Sequence, residues 1–324
     1  MHFVKEWLLV ISMSCGVATY LIYHAIPSPQ LHSAGPALLS FARTAQPILL
    51  FIMLFLNFVK VAPDQMKPHR WQFKGIVFQC AAFLIPALTV IIALHSHGPV
   101  AEWILAHRIP FEAAMICFIT PTAGAAGVVT DRLGGSVAEV VTYTILINIV
   151  SATMFPAVIP LLYPGSGISF TAAFAKILAK VFPLLIIPCL LALFLRFFLP
   201  KIHAVMLKIS HWSFTIWGFS LSLAIAMCTR SIVLSGRGFW LLALICLIAF
   251  ACCFIQFYVG KRLGGAGSRL PAGQAMGQKN TVLAIWLGYT FMDPVLSVVG
   301  GFYSLAHNIF NSWQLARKDK GKSF

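Results

Sequence analysis

The chain has 324 residues and a formal net charge of +15, yet 60% of it is hydrophobic and only 10% charged. Soluble domains carry roughly 25% charged residues, so the composition, with a mean hydropathy of +0.89, is that of an all-α polytopic membrane protein. The basic excess then points to membrane topology rather than to a nucleic-acid partner.

Apolar runs long enough to cross a bilayer predict ten transmembrane helices, at about 7–25, 37–60, 73–95, 110–130, 135–163, 170–198, 205–229, 238–259, 271–292 and 294–315. The first has no small-residue cleavage site ahead of His24 and reads as a retained helix rather than a signal peptide. An even count leaves both ends on one side. That side holds Lys5, Lys60, Lys67, Arg70, Lys74, Arg132, Arg196, Lys201, Lys208, Lys261, Arg262, Arg269, Arg317, Lys318, Lys320 and Lys322; the other holds only Arg108, Arg230 and Arg237. This bias places both termini in the cytoplasm of a cell (inner) membrane. The short connectors leave a single transmembrane domain over 1–324, divisible into halves of about 1–165 and 166–324. Five-helix halves reverse orientation, the pattern of an inverted repeat.

Taken in order, the second span carries Asn57, with Arg43 nearer its outer end, and both read as interhelical glue or snorkelling groups. The fourth span is interrupted by Thr120-Pro121-Thr122-Ala123-Gly124-Ala125-Ala126-Gly127. Pro121 removes a backbone donor, and Gly124 and Gly127 loosen the next turn. An opened helix there would aim free N–H groups at an anion and free carbonyls at a cation. The bland alternative is a proline kink re-satisfied by Thr120 or Thr122. The fifth span adds Thr142, Thr144 and Asn148, with Glu139 a turn nearer the cytoplasm. Such threonines often bond their own i−4 carbonyls, whereas an amide in hydrocarbon needs a partner; Thr144 and Asn148 are the site candidates and Thr142 a packing residue. Lys176 and Lys180, near the start of the sixth span, read as snorkelling groups.

The ninth span is the most polar per turn: Gly273, Gln274, Gly277, Gln278, Lys279, Asn280 and Thr281 fall within about two turns. A lysine at mid-membrane costs about 2.5–3.5 kcal/mol on insertion scales, so a second broken helix lining a cavity is expected. Lys279 is read as a tethered cation or a proton-coupling group, since burial disfavours its charged form. The alternatives are a permanent ion pair with Glu139 or an amine snorkelled to the interface. The tenth span presents Tyr303, Ser304, His307, Asn308, Asn311 and Gln314, mostly on one face, with Asn308 lining an inner vestibule.

The stretch Gly277-Gln278-Lys279-Asn280-Thr281-Val282-Leu283-Ala284 resembles the Gly-x-Gln-Asn-Ser-Gly-Leu-Ala stretch of the bile acid:sodium symporter family, and the run from Thr120 to Thr130 is similar to that family's Cys-Pro-Gly-Gly-x-x-Ser-Asn-x-x-Thr. The resemblance implies ten helices in two inverted five-helix repeats, helices 4 and 9 broken and crossing, a core of spans 3–5 and 8–10, and a panel of spans 1, 2, 6 and 7. It departs at the sodium ligands. The family's serine and asparagine align with Ala126 and Gly127, its glutamate with Ala275 and its glutamine with Lys279; a threonine does align with Thr144, and Gln79 matches a glutamine only approximately.

The resulting candidate substrate and ion residues are Thr120, Thr122, Gly124, Thr130, Thr144, Asn148, Gln274, Gln278, Lys279, Asn280, Thr281 and Asn308. No HExxH motif, His/Asp cluster or CxxC pair suggests catalysis, a metal or a cofactor, and no filter sequence suggests a channel. The expected function is alternating-access transport of a small organic anion, the partners being that substrate and the bilayer with no obligate protein partner. Proton coupling, or none, is favoured over sodium. The alternatives are a sodium-coupled organic-anion symporter and a cation/proton antiporter of related fold, the latter weakened by the absence of paired core carboxylates.

Overall fold

The computed structural model describes residues 2–28, 33–60, 63–164 and 169–319. Lys320, Lys322 and the boundary between the two halves at 165/166 lie outside the described residues. Thirteen α-helices and three short 3₁₀ turns make up the described secondary structure: α1 His2–Ala25, α2 Gly35–Val59, α3 Arg70–Leu94, α4 Pro99–Ala106, α5 Arg108–Ile119, α6 Ala126–Leu133, α7 Val137–Leu162, α8 Phe170–Phe198, α9 Pro200–Ile209, α10 Ser213–Ser235, α11 Phe239–Gly277, α12 Thr281–Phe291 and α13 Ser297–Asp319.

Local chemistry fixes many of the ends. Proline stands in the first turn of α2, α4 and α9, where its missing N–H costs nothing. His69 and Gln72 close a capping box at the start of α3, and the Ser136 and Ser169 side chains cap α7 and α8. Helix α6 stops on Gly134, which takes the left-handed conformation at φ 84°.

Six described helices are long and apolar enough to cross a membrane: α2, α3, α7, α8, α10 and α11. Identifiable features keep four others below that threshold. Helices α5, α6 and α12 are cut short by the two breaks, and α13 is diluted by its polar stripe. Large apolar side chains point away from the protein along these helices, among them Val77, Phe219 and Trp240 at 68, 70 and 83% exposure; lipid covers them at no cost.

Helix α11 is a hairpin rather than one rod. Gly265 (φ 60°, ψ −155°) and Ser268 are non-helical and turn the chain between arms 239–264 and 269–277. The arms then pack closely: a Cβ on Gly260 would lie 2.5 Å from Ala272 O, and one on Gly277 would lie 2.3 Å from the Phe257 ring. The sequence predicts a connector over 260–270; the helix continues into it because Gly265, at positive φ, and Gly264, close against Ala272, let the chain reverse tightly. The seventh expected span also divides, into α9 and α10 around a 3₁₀ turn at Ser210–Trp212. Helix α4, in the connector after α3, was not expected.

Helices α1, α2, α8 and α10 pack on one another, and α3, α5, α11, α12 and α13 do likewise; the two groups also meet, α10 against α12 and α13 and α2 against α12. Helix α7 lies against α8, α3 and α11, and α6 is held by α7 and α11.

Candidate functional site: the crossing of two broken helices

Helix α5 ends at Ile119 and α11 ends at Gly277, and in each case the next residue, Thr120 or Gln278, turns extended. The two extended segments meet. Thr122 and Lys279 form an isolated antiparallel β-bridge, flanked by Ala123 N donating to Gln278 O at 2.9 Å and Asn280 N donating to Pro121 O at 2.8 Å. The side chains of the bridged pair reach across symmetrically. Thr122 Oγ1 donates to Ala275 O at 2.6 Å, and Lys279 Nζ donates to Phe118 O at 3.3 Å. A shift of 157 residues carries Phe118, Pro121, Thr122 and Ala123 onto Ala275, Gln278, Lys279 and Asn280. The crossing is therefore locally two-fold, with threonine and lysine in equivalent places.

Opening a helix inside a membrane frees carbonyls that must find donors. Here the protein supplies them. Cys117 O accepts from Gln256 Nε2 at 3.1 Å, Phe118 O from Lys279, Ile119 O from Ser151 Oγ at 2.5 Å, and Pro121 O from Asn280 N. On the other segment Gly277 O accepts from the Tyr303 hydroxyl at 2.9 Å and Gln278 O from Ala123 N. Gln256 is the hub behind this arrangement, donating also to the Tyr303 hydroxyl and accepting from Gln79, which in turn accepts from Tyr143. Four carbonyls at the first break are thus occupied by internal donors, one of them an ammonium.

The donor end faces open space. The Gly124 and Ala125 N–H groups donate to no protein group among the described residues, and Gly124 and Gly127 line a cavity of about 190 Å³. Asn57 and Lys60 of the α2 end and Thr144 of α7 are its polar side chains, and the rest of its wall is apolar, with Leu54, Phe58, Val128 and Val141 among the residues that line it. Lys60 Nζ donates to Ser213 Oγ at 3.1 Å. A Cβ on Gly124 would sit 2.0 Å from Asn57 Nδ2, so glycine there is what admits the amide. Asn57 and Lys60 are functional candidates that residue-by-residue reading of the sequence passes over. Their types announce only glue and topology, and it is the fold that brings α2 against the break.

A profile of the Sodium Bile acid symporter family matches residues 47–235, more than half of the chain. The chain belongs to that family. Its members are transporters rather than enzymes, and with the apolar spans this makes the chain an integral membrane protein. A search of curated proteins finds no match. The family match runs from α2 to the end of α10 and so takes in the first break but stops before Lys279.

Within this symporter-family chain the remaining candidates fall into distinct places. Thr120, Thr130, Thr142 and Thr144 each donate to their own i−4 carbonyl. Of these only Thr144 lines the cavity, and Thr130 is buried in the last turn of α6, away from it. Gln278 Nε2 donates to Gln274 Oε1, and Gln274 Nε2 donates to Gln314 Oε1 at 2.5 Å, a relay from the crossing to α13. Asn280 Oδ1 caps α12 by accepting from Leu283 N at 3.2 Å, and Thr281 is buried at the first position of that helix. Asn148, 2% exposed, has no partner for either amide atom among the described residues. Asn308 donates to Ser304 O one turn back on α13 and does not reach the crossing cavity.

The suggested Glu139–Lys279 ion pair is not formed. Glu139 sits in the first turn of α7 with its carboxylate turned to α3, where it accepts from Trp71 Nε1 at 2.8 Å. Lys279 is 1% exposed, so its amine is not snorkelled either. Its electrostatic neighbours are the Cys117 and Cys253 thiols, and no carboxylate pairs with it among the described residues.

Proposed function

We propose that this chain is a secondary transporter of a small organic anion that works by alternating access, with its binding site in the cavity beside the crossing. The observation that carries the reading is the cavity itself: Gly124, whose N–H is free just before α6, the Asn57 amide and the Lys60 ammonium all border it. A half-helix N-terminus with a cation nearby favours a carboxylate or sulfonate. A volume of about 190 Å³ holds roughly six waters at ~30 Å³ each, well under the ~300–1,000 Å³ of sites for drug-sized ligands. A compact anion fits that space better than a bile acid.

The ten-span architecture belongs to this proposal. With α4 in a connector, the other twelve helices are ten spans, α5 with α6 forming the fourth, α9 with α10 the seventh, the second arm of α11 with α12 the ninth. The two halves are inverted repeats, which the 157-residue correspondence at the crossing supports. Helices α1, α2, α8 and α10 act as a panel that rocks against the rest, and both termini lie in the cytoplasm of the inner membrane.

Lys279 stands where the family places a sodium ligand, and it takes the role of a fixed cation. Two unit charges 4 Å apart at an effective dielectric of ~20 repel by about 4 kcal/mol, so a sodium ion beside this ammonium is disfavoured, as is one on carbonyls already bonded. Coupling is then to protons through Lys279, or absent. The family's name favours the second reading, sodium-coupled symport. Proteoliposome uptake of C3–C6 carboxylates and of taurocholate, under imposed sodium or proton gradients, tests both. Uptake of a small carboxylate without sodium is the expected result; uptake driven by sodium alone overturns the coupling proposal, and uptake of taurocholate alone overturns the size argument.

A further inference from the structure

A second cavity, of about 220 Å³, lies at the other end of the molecule, lined by Arg230, Ser231, Leu234, Arg237, Asp293, Pro294 and Val295. Arg230 and Ser231 come from the end of α10, Arg237 from the loop before α11, and the last three from the link between α12 and α13. It therefore sits on the seam between the two helix groups. On the orientation proposed above it faces outside, where the connecting loops between the expected spans carry only Arg108, Arg230 and Arg237 as arginine or lysine.

Two of these arginines, Arg108 and Arg237, belong to one chain of contacts, and Arg230 lines the cavity beside Arg237. Arg108 pairs with Glu112 at 2.6 Å; Tyr163 donates its hydroxyl proton to the other oxygen of Glu112 at 2.6 Å and accepts from Asp293 N at 3.1 Å; Arg237 pairs with Asp293 Oδ2 at 3.2 Å. Asp293 Oδ1 accepts from Val295 N at 3.0 Å, so the aspartate is held by the α12–α13 side while Arg237 reaches it from the loop after α10. Arginine on the outer face runs against the topology bias, and a network that keeps Arg108 and Arg237, with Arg230 on the same cavity wall as Arg237, has a reason beyond orientation.

We propose that this outer cavity is a carboxylate-binding site, in which a small carboxylate takes the guanidinium groups of Arg230 and Arg237 and displaces Asp293 from Arg237, loosening the seam. Three features carry this. The cavity wall has two guanidiniums against one carboxylate, and Arg230 makes no hydrogen bond or ion pair among the described residues. Asp293 already demonstrates the ligand chemistry, since a guanidinium fork matches a carboxylate. The pair it forms is exchangeable: its side chains are 48 and 30% exposed, and such pairs contribute little. The volume suits roughly seven waters at ~30 Å³ each, or a four-carbon dicarboxylate.

The test uses the full chain in nanodiscs, phenylglyoxal as an arginine-specific reagent, succinate as the probe, and chloride at matched ionic strength as control, with modification read peptide by peptide. Succinate is expected to slow modification of Arg230 and Arg237 saturably, by about threefold or more, and to leave exposed Arg269 unchanged. Asp293→Asn removes the competing carboxylate and is expected to shift half-protection to about threefold or more lower succinate; Arg230→Gln is expected to remove protection of Arg237. Equal protection by chloride, equal protection of Arg269, or an unchanged midpoint in Asp293→Asn overturns the proposal. Lys60→Gln separates this site from the central one: outer protection persists in that variant whether or not its uptake is lost.

Discussion

Lys279 donates one hydrogen bond, long at 3.3 Å, and is 1% exposed. An ammonium so placed pays a desolvation penalty of several kcal/mol with little return, which is the ground for the proposed tethered-cation role. Replacing it by a neutral amide separates function from stability. Lys279→Gln is predicted to melt at the same temperature or higher, and to lose about tenfold or more of carboxylate uptake in proteoliposomes; unchanged uptake in a folded variant eliminates the tethered-cation role. Lys60→Gln tests the cavity wall in the same assay. A hydrogen bond to a charged group is worth roughly 1.5–3 kcal/mol, so about a tenfold rise in apparent KM is expected with the maximal rate largely kept. At this scale the sequence exposes Thr122 and Lys279, because proline, glycine and lysine inside apolar runs are conspicuous. Lys60 is invisible as a site residue, because a lysine at a cytoplasmic span end has a sufficient explanation in topology alone. Glu139 misleads for a related reason: it is an acidic residue in the span that follows the first break, and only the fold turns it to Trp71.

The elements depend on backbone that only glycine can supply at a few points. Gly265, at φ 60° and ψ −155°, occupies a region that is nearly glycine-only, where another residue costs about 1–3 kcal/mol. It makes the reversal that returns the second arm of α11 to the crossing, so the position of Lys279 depends on it. Gly265→Ala is predicted to lower the melting temperature by several degrees and to reduce uptake. Gly267→Ala, two residues on, meets nothing within 4 Å and is predicted to do neither; equal effects of the two refute the strain argument. The existence of a break in the ninth span is legible from its polar residues. The hairpin is not, since an apolar run punctuated by glycines reads equally well as a loop between two helices, and the choice is made by packing of Gly260 on Ala272 and Gly277 on Phe257.

For the whole molecule, composition establishes a membrane protein and the family match a transporter, while motion of one helix group against the other is the proposal with the most at stake. The first break offers a direct test because α2 and the α5–α6 connection touch there. An ideal Cβ at Gly124 lies 3.0 Å from Asn57 Cγ. In a disulfide, with S–S near 2.05 Å, a Cβ sits roughly 3 Å from the partner sulfur, so a cysteine at 57 places its sulfur close to where a cysteine at 124 needs it. The Asn57→Cys/Gly124→Cys pair is therefore predicted to cross-link under copper phenanthroline without backbone movement. Because the bond ties α2 to the broken segment across the cavity, it is predicted to abolish uptake, and dithiothreitol to restore it. The single variants control for loss of the Asn57 amide and for crowding at Gly124, and the eight native cysteines are controlled by the same oxidation of the unmodified chain. Complete cross-linking with undiminished uptake would mean that the cavity walls need not part, and alternating access through this seam would have to be abandoned even if the chain transports anions by another route.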